Sequence, residues 1–278
     1  LLLVFSILLI WFYFSLPKTL FKAPTCYVLE DKDGVLLNAT IAKDGQWRFP
    51  FNRNVPKKFS DCITVFEDKR FYYHPGVDPI AFARALVKNI RNNRASQGGS
   101  TISMQVLRLA QKNNKRNLLN KLRESILAVR LECRYSKKHI LALYASNAPF
   151  GGNVVGLDAA AWRYFGTSPE KLSWGQMATL AVLPNAPSLV HPGKNREVLL
   201  KKRNTLLDKL QQANKMSATD CELAQLEPLP GVPLPLPQNA THLFQRFLKE
   251  NKKSITLTKA KTTISIALQK NVAAILRQ

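Results

Sequence analysis

From Lys57 to Asn214 apolar residues recur at the period of an α-helix, and this pattern constrains the fold more than any other feature of the chain. The run "DPIAFARALVKNIRNN" sets Ile80, Ala83, Leu86, Val87 and Ile90 on one face. Arg84, Lys88, Arg91 and Arg94 occupy the rest. "GGSTI" reads as a turn that opens a helix ending near Gln111. "NLLNKLRESILAVRLECRYS" predicts a long amphipathic helix with Leu118, Leu122, Ile126, Val129 and Cys133 as one stripe. Leu127 and Leu131 add a second, so much of that helix is expected to be buried. Further helices are expected over 137–145, 156–165, 173–183 and 196–214, separated by the Gly- and Pro-rich loops "NAPFGGNVVG" and "LPNAPSLVHPG". Strand signals stand near the ends. A hairpin is expected over Tyr27–Ile41, turning at Asp33-Gly34. "SITLTKAKTTISIALQKNVAAILRQ" reads as two strands and a helix. "LEPLPGVPLPLPQ" is an extended connector.

The expected fold is therefore mainly α, with short β elements near each end. Its expected divisions are an anchor over 1–17, a hairpin and connector over 18–56, a helical domain over 57–228, and a Pro-rich linker with the start of a further domain over 229–278. The anchor rests on Leu1 to Leu16, which carries no charge. A membrane-spanning helix needs about 20 apolar residues, so the run is short for a span, but the sequence starts without a Met. Trp11, Phe12, Tyr13 and Phe14 cluster at its end and Lys18 and Lys22 follow, the order favoured at a membrane interface. A cleaved signal peptide is the rival reading, and it lacks a small-residue cleavage site.

Lys and Arg number 41 against 18 Asp and Glu, a formal charge of +23. Such an excess points to a polyanionic partner: nucleic acid, an anionic membrane face or a phosphorylated substrate. The basic helix after Gly76 suits an anionic surface, and equally an ordinary solvated face. Cys26, Cys62, Cys133 and Cys221 form no CxxC pair and have no His at ligand spacing, which argues against zinc. They read as small apolar core residues.

With acids scarce, a carboxylate in apolar context stands out. Glu67 and Asp68 follow the apolar run "CITVF". Partial desolvation there would suit a general base; the plain alternative is a surface acid paired with Lys69 or Arg70. Glu124 lies three residues after Lys121 on the same helical face. It is either half of a solvated ion pair or a charge bordering a cleft. Arg108 and Arg116 precede it, and clustered cations can hold a departing pyrophosphate. Two carboxylates in one cleft serve chemistry at an anomeric carbon, by hydrolysis or by transfer. "GGSTISMQ" fits neither the Walker nor the dinucleotide pattern. Ser100 or Thr101 can present backbone N–H groups to a ligand or cap a helix. Ser168-Pro-Glu-Lys171 fits SxxK by chance, since no SxN or KTG follows.

Taken in order, these runs resemble glycosyltransferase family 51, the peptidoglycan polymerase module of class A penicillin-binding proteins. The motif EDxxFxxHxG stands as Glu67, Asp68, Phe71, His74 and Gly76. GGSTIxxQ stands as Gly98, Gly99, Ser100, Thr101, Ile102 and Gln105. RKxxE stands as Asn120, Lys121 and Glu124, and "ILALYASNAPFGG" and "LAVLPNAPSLVHP" match two later motifs. The likeness covers about Lys57–Gln212, and "NAPFGG", "SMQVLRLA" and "TTISIALQ" resemble the C subclass most.

The resemblance implies a lysozyme-like helical domain with a small membrane-facing lobe, preceded by one transmembrane helix. It implies inverting polymerisation of lipid II into β-1,4-linked glycan on the outer face of a bacterial inner membrane. By motif, Glu67 is the general base and Glu124 assists departure of undecaprenyl pyrophosphate. Arg108, Arg116 and Lys121 match cations at the pyrophosphate. Ser100, Thr101 and Gln105 match the donor side, and Asp68, Phe71, His74 and Gly99 belong to the same substrate-lining motifs. No tightly bound cofactor is implied, though a divalent cation such as Mg or Mn at the pyrophosphate is compatible. The implied partners are lipid II, the growing glycan, the anionic membrane and other cell-wall synthesis proteins, with no nucleic acid. Three positions depart from the pattern: Met104 for a Gln, Asn120 for an Arg, and Ser146 for an Asn. The alternative is a weak or inactive lipid-II-binding scaffold; a lytic hydrolase and a basic nucleic-acid binder are the more distant readings.

Overall fold

The computed structural model describes residues 10, 12–84, 99–111, 118–185, 195–251 and 257–275. The chain divides into two compact units, one made of 1–22 and 53–145, the other of 23–52 and 146–278. The protein is mainly helical, as the apolar period predicts.

In the first unit the labelled helices are α1 (Lys57–Glu67), α2 (Ile102–Gln111), α3 (Leu118–Arg134) and α4 (Lys137–Asn147), and residues 79–84 are also helical. Helix α1 buries Phe59, Cys62 and Ile63 on one face. Helix α2 packs along α3. The start of α2 is fixed by Thr101, whose Oγ1 accepts from the Met104 N–H at 3.2 Å and donates to the Gly76 carbonyl at 2.6 Å. Thr101, rather than Ser100, is thus the capping residue. Gly76 has a φ of +96°, and a Cβ there would meet the Ala128 carbonyl group at 2.5 Å. Only glycine lets the loop after α1 approach α3 so closely.

Helix α3 turns out of the expected register. Its buried line is Glu124, Leu127, Ala128 and Leu131, at helical spacing. Leu122 and Ile126, placed by the sequence reading on a buried stripe, are exposed, as is Cys133. The apolar residues on this helix exceed what one packed face can take, so composition could not say which stripe turns inward. Two arginines of α3 hold the chain that precedes the helices. Arg130 donates to the Tyr13 carbonyl at 2.8 and 3.1 Å, and Arg134 to those of Pro17 and Lys18. Residues 12–14 are helical, while residues 1–9 and 11 of the expected anchor lie outside the described residues. Among the described residues no helix is long and apolar enough to cross a membrane.

The second unit carries β1 (Val28–Glu30), β2 (Leu36–Ala39), β3 (Trp47–Arg48), β4 (Val154–Val155) and β5 (Lys259–Lys261). Its helices are α5 (Leu157–Phe165), α6 (Trp174–Val182), α7 (Arg196–Gln212), α8 (Ala218–Leu226), α9 (Thr241–Asn251) and α10 (Ile266–Ile275). The expected hairpin forms, with β1 antiparallel to β2 and Gly34 at a φ of +79° in the turn. Strand β5 then joins β1 in parallel. The segments 18–56 and 229–278, read from sequence as separate, therefore share one sheet in the order β2-β1-β5. Leu29, Leu37, Ala240, Phe244 and Phe247 pack beneath it. Asp31 ties the sheet together by accepting from the Asp33, Val35 and Ile266 N–H groups. Burial would raise its pKa, yet those backbone donors hold it below the ordinary value.

Helices α8 and α9 have no counterpart in the sequence reading. Helix α8 is held by Arg203, fully buried on α7, which donates to the Gln225 carbonyl at 2.7 Å and the Glu227 carbonyl at 2.5 Å. This satisfies carbonyls that a helix C-terminus leaves unpaired. The SxxK run forms a short 3-10 turn, Pro169–Lys171, in keeping with a chance match. Cys26, Cys62 and Cys221 are buried free thiols, as expected of core residues, and burial pushes the Cys26 thiol up to about 11.

Candidate active site

Two loops position the site. Asp68 follows the end of α1, and its carboxylate receives His74 Nε2 at 3.0 Å and the Ile102 N–H at 3.0 Å. His74 Nδ1 accepts from the Gly76 N–H at 3.1 Å, so the ring proton sits on Nε2, toward Asp68. The Lys137 ammonium donates to the His74 carbonyl and to Glu132, which also accepts from Ser103 at 2.6 Å. This network joins the end of α1 to the start of α2 and to α3 and α4. Asp68, Phe71 and His74, carried over as substrate-lining, are buried, and their polar atoms are engaged inside the protein. Such a buried, satisfied cluster fixes the geometry of the elements it joins. Gly99 serves close packing as well: a Cβ there would meet the Phe82 backbone at 2.9 Å.

What the network positions is a row of side chains from α2. Gln105 and Arg108, three residues apart, lie on one helical face. The Gln105 amide donates to Glu67 Oε2 at 2.8 Å. The Arg108 guanidinium donates through Nε and Nη2 to both oxygens of Glu124, at 3.2 and 2.7 Å. Nη2 also reaches Ser100 Oγ at 3.4 Å. Each of the two candidate carboxylates is thus held by a neighbouring residue of α2. Glu67 is half-buried, so it stays accessible to a ligand, whereas Glu124 is buried at 4% exposure.

The plain alternative for Glu124, a solvated pair with Lys121, is overturned. Arg70 pairs with Asp78, at 2.9 and 2.5 Å. Glu124 pairs with Arg108, while Lys121 lies 4.5 Å over the Phe82 ring. A buried carboxylate needs a fixed partner, and the guanidinium fork supplies two parallel bonds where an ammonium gives one contact.

Arg116 lies outside the described residues, as do residues 85–98, which include Gly98 and most of the run expected to form the basic helix. Met104, read as a missing donor-site amide, is instead a core residue at 1% exposure. Ser146 is buried and accepts from the Asn52 N–H at 3.3 Å. The sequence reading gave no role to Tyr144 on α4, which is fully buried; burial first, and the charge of Glu67 second, raise its pKa well above the ordinary phenol value. Its signal was its place in the motif run "ILALYASNAPFGG", within an apolar helical stretch.

Residues 34–211 match the family model described as transglycosylase. The chain is 35% identical over 257 residues to penicillin-binding protein 1C of Escherichia coli, covering 92% of this chain and 33% of that protein. It is 35% identical over 219 residues to penicillin-binding protein 1A of Haemophilus influenzae, covering 78% and 25%. A crystal structure of the latter aligns at 18% identity with a TM-score of 0.41, too loose an overlap to inform the fold. The chain thus spans a third or less of the length of these curated relatives.

Proposed function

The chain belongs to the transglycosylase family, and on that premise we propose that it is a peptidoglycan glycosyltransferase that polymerises lipid II in cell-wall synthesis. The observation that carries the reading is the pair of carboxylates, Glu67 and Glu124, held by Gln105 and Arg108 from one face of α2. In the proposed step the acceptor sugar's 4-hydroxyl attacks the donor's anomeric carbon and passes its proton to Glu67. The bond from that carbon to the diphosphate oxygen breaks, the electron pair leaves with the undecaprenyl pyrophosphate, and the centre inverts to a β-1,4 link. A guanidinium has five N–H groups, so Arg108, paired to Glu124 through Nε and Nη2, retains donors for the developing negative charge. Glu124 then acts by aiming Arg108, with Lys121 and Arg116 as further cations. Ser100 and Gln105 border the donor side.

Among the described residues the side chains do not make a metal cage. Both Glu124 oxygens accept from Arg108, and no group of three acids, histidines or cysteines converges among the described residues. The aromatic and basic residues near the start of the chain, with the exposed Tyr72, Tyr73, Leu122 and Ile126 of the first unit, suit work at a membrane surface. We place this domain, lysozyme-like in the proposed reading, on the outer face of the inner membrane behind a single anchor.

The test is conversion of lipid II to glycan by the purified protein in detergent. Glu67→Gln is expected to lower turnover by at least about 10²-fold, the scale of a lost general base. Full activity in that variant removes Glu67 from the role. Products that shorten existing glycan instead of extending it would mark a hydrolase.

A further inference from the structure

Glu67 is the last residue of α1. A helix C-terminus presents unpaired carbonyls and a partial negative charge. A carboxylate there depends on donors brought from other elements, and Gln105 of α2 supplies one, to Oε2. Tyr144 enters from α4, at 1% exposure. Its hydroxyl is buried and makes no hydrogen bond among the described residues. Buried polar groups are nearly always satisfied, and an orphan one costs stability. A phenylalanine would fill the same space without that cost.

We propose that Tyr144 is a positioning residue for the reaction, its hydroxyl donating to the Glu67 carboxylate, directly or through one water, once the acceptor sugar engages Glu67. The inference rests on the reading of Glu67 as the base. Gln105 and Tyr144 then fix the carboxylate from two sides, so that the oxygen receiving the sugar's proton is aimed at it. The phenol is suited to donate and never to give up its proton. Burial first, and the charge of Glu67 second, raise its pKa well above the ordinary phenol value. Nearby charged groups include Arg108 of α2 and Glu124 of α3, paired to each other, and Arg70, paired to Asp78.

The experiment compares wild type, Tyr144→Phe and Glu67→Gln in the full chain. It measures kcat, KM and the pH dependence of kcat on lipid II, together with the thermal midpoint. Tyr144→Phe is expected to lower kcat roughly 10- to 100-fold with KM little changed, the effect of one hydrogen bond to a charged group. Its midpoint should stay or rise, because the orphan hydroxyl is gone. The acid limb of its kcat profile should move to higher pH, since a donor that favours the ionised carboxylate has been lost. Wild-type turnover in Tyr144→Phe overturns the proposal, and so does a fall in kcat with the pH profile unmoved. If Glu67→Gln itself remains active, the base assignment fails instead, and the two failures are distinct.

Discussion

Single residues here carry opposite electrostatic debts. Asp158, in the first turn of α5, accepts from the Asn52 amide at 3.1 Å. Its burial, with Glu170 and Glu30 nearby, outweighs the Asn52 bond and Lys259 and pushes its pKa from 3.8 up to about 6. A raised carboxyl pKa means the folded state holds the proton more tightly than the unfolded chain. Stability is therefore greatest at low pH and falls between about pH 4 and 6 as Asp158 ionises. Asp158→Asn mimics the neutral acid and keeps an oxygen for Asn52. It should raise stability at pH 7 by ~2 kcal/mol, after allowance for partial solvation. Denaturant unfolding at pH 4 and pH 7 tests this, because the gain should vanish at the lower pH. Glu67 differs in kind: it is half-buried at the end of α1, and the Gln105 amide that donates to it comes from another helix. The first motif was legible as letters. That Asp68, Phe71 and His74 are the scaffold and Glu67 the accessible group was not, because burial depends on which elements meet.

At the scale of elements, helix α3 is the instructive case. Its sequence offers two apolar stripes, and periodicity cannot rank them. The packing against α2 and the close approach of Gly76 to Ala128 decide the rotation, turning Leu127 and Leu131 inward and Leu122 outward. The same rotation carries Glu124 into the interior, where Arg108 meets it. Leu127→Ala should destabilise the protein by about 2–5 kcal/mol, and Leu122→Ser by no more than about 0.5 kcal/mol. Equal losses in thermal or denaturant unfolding would show that the helix faces another way. Helices α8 and α9 escaped the sequence reading for a related reason. Helix α8 is short and buries little, and its C-terminal carbonyls are satisfied by Arg203 from α7, a partner no local pattern reveals.

At the scale of the whole molecule, distant parts of the chain meet in one sheet. The Val28 N–H donates to the Thr258 carbonyl and the Thr262 N–H to the Glu30 carbonyl, each at 2.8 Å. Phe244 packs in the cluster beneath. Phe244→Ala should cost about 3–5 kcal/mol, and hydrogen exchange at Val28 and Thr262 should accelerate together, since both amides depend on that cluster. Faster exchange at Thr262 with Val28 unchanged would mean that the shared core does not couple them. The sequence by itself determined the helical class, the Tyr27–Ile41 hairpin, the family motifs and the candidate carboxylates, because these rest on local periodicity, turn chemistry and residue identity. Only the tertiary structure decided which face of α3 is buried, that Glu124 answers to Arg108 and not to Lys121, that Met104 is core, and that β5 joins β1. Those outcomes follow from contacts between residues far apart in the chain, where burial and pairing energies outweigh any local preference.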